Sequence, residues 1–282
     1  MTRQSAVLSD GRRRVAMPHF QLSGMRAIGA MAFCALPVIL GVIVPAVALI
    51  SMAMESEQVL FSRRYADFIR NSVTLAAVGA VLTVGAALAL GAARRWRSNL
   101  LTRFAMQVAR LGYAVPGGVI AVGLMVPTAM FDNALDAYMR ASFGISTGLL
   151  ITGSIVLLLA AYMTRFLAAA IAAHEGGSAT ITPNLDYAAR VLGDSPARAT
   201  WRVHIPLLTP SLLSAGLIVF VDIMKELPAT LILRPFNFDT LAVQAFRLAS
   251  DERLNGAAVP SLMIAAVGLV PTILLCRRIS RT

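Results

Sequence analysis

Six long apolar stretches, separated by polar segments that carry arginines, leave this chain few ways to fold. They run from about Ala27 to Met54, Ser72 to Ala93, Phe104 to Met130, Ser146 to Ala170, Pro210 to Leu233 and Asn255 to Cys276. About 20 apolar residues suffice for a helix to cross a hydrocarbon layer of ~30 Å. The expected fold is therefore all-α, a polytopic membrane protein with six transmembrane helices. A composition of 57% hydrophobic and only 14% charged residues agrees with a lipid-embedded bundle. A net charge of +11 in a soluble chain would suggest nucleic acid. Here the arginines flank the apolar runs, so membrane lipid, and not nucleic acid, is the expected partner.

The first stretch holds 28 residues, too many for the apolar region of a cleaved leader. As a straight helix it would be ~42 Å long, and tilt or kinks at Pro37 and Pro45 would absorb the excess. In the third stretch, Pro116-Gly117-Gly118 falls near the middle and reads as a packing notch or a gating hinge. Phe131 to Ile145 reads as a polar link with a short interfacial helix. Arg165, near the end of the fourth stretch, is placed to snorkel. Between the last two stretches, Leu241, Ala245 and Leu248 share a face of a short helix that Asp239 or Thr240 would cap.

Six spans put both termini on one side. That side collects fifteen arginines (3, 12, 13, 14, 26, 94, 95, 97, 103, 190, 198, 202, 277, 278 and 281) against seven on the other. The excess of positive charge marks the cytoplasm. The expected layout is a basic cytoplasmic segment over 1–26, a six-helix domain over 27–276 and a cytoplasmic tail over 277–282.

The polar island from Thr182 to Pro206 then lies in the cytoplasm. Thr182-Pro183 and Ser195-Pro196 are helix-start signals. The expectation is a helix from Pro183 to Leu192, a turn at Gly193 and a second short helix from Pro196 that Pro206 stops.

No constellation for covalent chemistry is visible. Cys34 and Cys276 lie in apolar runs, and the three histidines form no metal-ligand spacing. A phosphate-binding loop of the G-x-x-x-x-G-K type is excluded, because the single lysine, Lys225, follows Met224. No cofactor is expected, and ATP, if used, must be held by another subunit. Charge returns inside the fifth stretch at Asp222, Lys225 and Glu226, which would share one helical face, with Pro228 freeing the carbonyl of Met224. Charges at that depth are costly, and a net-negative cluster beside a bare carbonyl suits a cation pathway or a gate, or else a buried pair that fixes helix register.

The island resembles the EAA motif of ABC importer permeases, E-A-A-x₃-G-x₉-I-x-L-P. Ala188 and Ala189 match the alanines, Gly193 the glycine, and Val203, Ile205 and Pro206 the closing I-x-L-P. Tyr187 stands where the family has glutamate. Asp186 lies one residue earlier, about 100° away around a helix, so it is not expected to replace that acid. From Asn71 to the C-terminus the chain is similar to the second half of ferric-iron ABC importer permeases, most clearly over Asp222 to Leu254. The resemblance implies a type I importer permease with a core over about 71–276 and the coupling loop at 182–206. It implies an inner-membrane location, an ABC ATPase, a second permease half and an extracytoplasmic solute-binding protein as partners, and ferric iron as solute. Sulfate, thiamine or phosphonate import, or an ATP-independent channel or carrier, are the alternatives. Met1 is compatible with a separate subunit and equally with a piece of a fused permease.

Overall fold

A computed structural model describes residues 22–56 and 63–279. The expected basic segment over 1–26 therefore lies largely outside the described residues, as do residues 280–282 of the tail. Contacts divide the chain into two compact units, one ending at Ala48 and one starting at Leu49. In the first unit, α1 (Met25–Val38) contains Pro37 and runs into a π turn, Ile39–Ile43, after which α2 (Val44–Met54) continues past the unit boundary. The π turn sits just ahead of Pro45, and Val44 N–H donates to the Ile39 carbonyl. Such a turn opens the ladder where a proline ring would collide with the preceding carbonyl.

The second unit is built on three helices that pack on one another: α3 (Arg63–Trp96), α6 (Ile155–Ser178) and α9 (Ile205–Met224). Leu75, Ala76 and Ala80 of α3, Leu158, Tyr162 and Ile171 of α6, and Val219 and Ile223 of α9 make the buried centre. The small residues let the helices approach closely, which is how spans associate where lipid tails compete with apolar side chains. On this frame pack α4 (Leu100–Leu111), α5 (Gly117–Phe143), α10 (Pro228–Leu233), α11 (Leu241–Ser250) and α12 (Leu254–Ile279). Two further short helices, α7 (Pro183–Val191) and α8 (Pro196–Ala199), form the island. Among the described residues six helices are long and apolar enough to cross a membrane. The fold is all-α and multi-pass.

Several expected boundaries move. The third span does not run through Pro116. A capping box of Asn99 and Thr102 starts the separate helix α4, and Pro116 is the N-cap of α5. Pro116 thus stands at a helix start rather than in mid-span. The glycines admit neighbours: a side chain at Gly112 would strike the Thr164 carbonyl, and one at Gly117 would strike Arg165 and Glu226. The polar link over 131–145 is absent too, because α5 continues to Phe143 and ends on left-handed Gly144. Its acids satisfy the returning loop. Asp132 accepts from the N–H groups of Ile151 and Thr152 at 3.1 and 2.7 Å, and Asp136 from those of Thr147 and Gly148 at 2.7 and 2.9 Å. The fourth span consequently starts at Ile155 rather than Ser146. The helix expected around Leu241 forms, and Thr240 rather than Asp239 caps it.

Candidate functional site: the island and the broken fifth span

Residues 182–206 form two helices joined by a tight turn. Thr182 and Ser195 are the N-caps with Pro183 and Pro196 behind them, and the Ser195 hydroxyl accepts from Arg198 N–H. Gly193 has φ +82, and its N–H donates to the Arg190 carbonyl while Asp194 N–H donates to Ala189. These two bonds close the helix end in the Schellman pattern, where only glycine enters the left-handed region without strain.

Pro206 does not stop the second helix. A π turn, Thr200–His204, follows α8, with Ile205 N–H donating to the Thr200 carbonyl, and α9 continues from it. The register repeats the one before Pro45: the proline follows the π turn by two residues. The island is thus continuous with the fifth span, in one helical run from Pro196 to Met224.

Asp186 and Tyr187 face opposite ways. The Asp186 side chain is only 15% exposed and accepts from Arg95 Nε at 2.8 Å, with His204 Nε2 at 2.7 Å from its other oxygen. Arg95 also donates to the Ser178 hydroxyl and the Ile181 carbonyl. Trp96 donates from Nε1 to the Thr200 hydroxyl at 3.1 Å, stacks on His204 at 5.8 Å and lies under the Arg190 guanidinium at 5.0 Å. One carboxylate therefore ties α7 to the end of α3 and to the start of α9. Ala189 and Ala199 are buried, whereas Ala188 is exposed. Val203 and Ile205 are half-buried and Pro206 is exposed. Tyr187 is 62% exposed, and Val191 and Leu192 are 86% and 84% exposed, which leaves an apolar ridge on the outer side of α7.

The sequence did not announce Arg95, Trp96 and His204 as members of this site. Arg95 and Asp186 stand 91 positions apart, and both arginine and tryptophan are ordinary flanks of a span. Nearby, Glu175 holds Arg94 at 2.9 Å and Arg110 at 2.6 Å, which brings Arg110 to the same end of the bundle.

In the fifth span the three charges do not share a face. Helix α9 ends at Met224 with Lys225 as its C-cap, and α10 restarts at Pro228. Lys225 pairs with Asp222 at 2.9 Å, as the spacing suggests. Glu226 turns inward at the break. It is 5% exposed, lies 3.2 Å from Arg165 and accepts from Ala229 N–H at 3.2 Å. Arg165 therefore does not snorkel to the surface. The backbone break redirects Glu226, because a helical 222/225/226 stripe requires an unbroken helix. Tyr162 and Thr230, 2.6 Å apart by their hydroxyls, tie the same two elements one turn away. Among the described residues no group of three or more acidic, histidine or cysteine side chains forms a metal site.

No protein-family model matches the chain. A crystal structure of a bacterial ABC transporter that imports the acidic polysaccharide alginate contains a chain of like fold, with TM-score 0.66, 14% identity, and coverage of 90% of this chain and 95% of that one. The alginate transporter in complex with an alginate pentasaccharide-bound periplasmic protein gives 0.69, 17%, 91% and 96%. The chain has the fold of an ABC importer permease. In sequence it resembles the Fe(3+)-transport system permease protein FbpB 2 of Haemophilus influenzae, being 27% identical over 241 residues. That match covers 84% of this chain and 44% of the relative, so the chain spans less than half of that protein's length.

Proposed function

We propose that the chain is a permease subunit of an ABC importer, forming half of a solute pathway across the bacterial inner membrane and coupling it to a separate ATPase. It is a transport subunit that performs no catalysis of its own. The observation that carries this reading is the island. It is a capped, rigid pair of helices, fastened through Asp186 to two spans and continuous with one of them, that holds an exposed apolar ridge of Tyr187, Val191 and Leu192. An ATPase cleft that grips this ridge can displace α3 and α9 together, because rigid-body motion is how packed helices transmit a local push.

The expected partners are an ABC ATPase, a second permease half, an extracytoplasmic solute-binding protein and membrane lipid. The excess of arginine on the island's side supports a cytoplasmic island and cytoplasmic termini. The ferric-iron relative and the run from Asp222 to Leu254 support ferric iron as the solute. The test is uptake of labelled iron by cells that express the chain with its ATPase and binding protein. Deletion of this chain should abolish ATP-dependent uptake. Unchanged iron uptake on deletion, with another solute lost instead, refutes the iron assignment, and uptake without any ATPase refutes the importer class.

A further inference from the structure

Lys225 is the chain's single lysine. Its side chain is 63% exposed, whereas that of its partner Asp222 is 14% exposed. Its depth follows from the neighbouring residue: Glu226 contacts Arg165, which lies near the middle of α6. At 1.5 Å per residue, Arg165 is ~15 Å from one end of that helix and ~20 Å from the other. An exposed ammonium at such a depth is costly against lipid tails, so in the assembled importer it faces a water-filled space or the second permease half. The negative charges beside it are already engaged. Glu226 is turned inward to Arg165 and Ala229 N–H, and Asp222 lies mostly covered. The exposed residues that follow, Pro228 and Ile232, carry no charge. Among the described residues from Asp222 to Ile232, the exposed charged group is the Lys225 ammonium.

We infer that Lys225 lines the pathway at mid-depth and selects solutes that present anionic oxygens. These are a free oxyanion, or a metal ion enclosed by carboxylate or phosphate ligands, rather than a bare cation. The inference rests on the reading of the chain as an importer permease and narrows it: iron, if carried, passes as an anionic chelate. The pair of Lys225 and Asp222 carries no net charge, but its positive end is the exposed one, and in a water-filled passage with low-dielectric walls a pair so oriented favours anionic groups.

The single lysine makes the test direct. Membrane vesicles holding the assembled importer are treated with a membrane-impermeant amine-reactive ester, with and without ATP. Modification of Lys225 is read by peptide mass spectrometry, separately from that of the N-terminal amine. We expect modification, and we expect ferric citrate or inorganic phosphate to suppress it while magnesium chloride does not. Protection by ferric citrate alone identifies a chelate, and protection by phosphate identifies a free oxyanion. In uptake assays Lys225→Arg should retain transport, and Lys225→Gln should lower it roughly tenfold with the ATPase still co-purifying. Absence of modification in the assembled importer, protection by magnesium but by neither anion, or full uptake with Lys225→Glu overturns the inference. Failure of the wild-type chain to bring down an ATPase sinks the importer reading instead, and leaves anion protection of Lys225 standing as a separate result.

Discussion

Arg95 Nε stands 2.8 Å from Asp186 Oδ2, and this contact fastens the island to the end of the second span. Both side chains are mostly covered, at 19% and 15% exposure, so the pair is not an ordinary surface bridge. Asp186→Ala leaves Arg95 with less satisfaction and frees His204, and should cost ~1–3 kcal/mol of stability. The exchange Arg95→Asp with Asp186→Arg should recover part of it. Thermal unfolding in detergent reads the stability. ATPase activity stimulated by solute-loaded binding protein reads the coupling, which should fall even in variants that fold.

Gly193 and Leu192 separate the shape of the island from its outer surface. Gly193 has φ +82, so Gly193→Ala should cost ~1–2 kcal/mol by forcing a side chain into the left-handed region. Gly193→Pro should be worse, since proline fixes φ near −65°. Leu192→Asp alters a residue that is 84% exposed and should leave the melting temperature unchanged. The same change should abolish co-purification of the ATPase. A Leu192→Asp chain that still binds the ATPase at wild-type yield refutes the docking ridge.

The pair of Arg165 and Glu226 should behave as a buried ion pair. Loss of one partner leaves an uncompensated charge, and Arg165→Met or Glu226→Leu should each cost ~3–5 kcal/mol. The double variant should be closer to the wild type than either single one. Gly117→Ala should weaken the same region, because its new methyl group enters the space of both side chains. A double-mutant cycle on unfolding measures the coupling. Additive single effects would show that the two charges act independently.

The six spans and the island's capped helices were legible because each depends on residues close in sequence. An apolar run, a Ser-Pro start and a glycine at a helix end are local devices. What the sequence hid was where charges find partners. Asp132 and Asp136 look like polar linker residues, yet they sit on a continuing helix and accept backbone N–H groups from a loop. Glu226 looks like part of an acidic stripe until the backbone breaks at Lys225 and turns it toward Arg165. Pro206 looks like a terminator, but a π turn ahead of it absorbs the missing N–H and the helix continues. In the island, the offset between Asp186 and Tyr187 was readable from helical geometry, whereas the inward partners of Asp186 were not.

The central claim is that the outer side of α7 docks on an ATPase while its inner side holds the spans. The most direct measurement is cross-linking from Leu192→Cys, in a chain with Cys34 and Cys276 replaced by serine, in membranes that contain the whole importer. The account predicts one specific adduct with the ATPase subunit, whose yield changes with ATP. Normal uptake with no such adduct, or modification of Leu192→Cys by an impermeant thiol reagent from the outer side of intact cells, would contradict it.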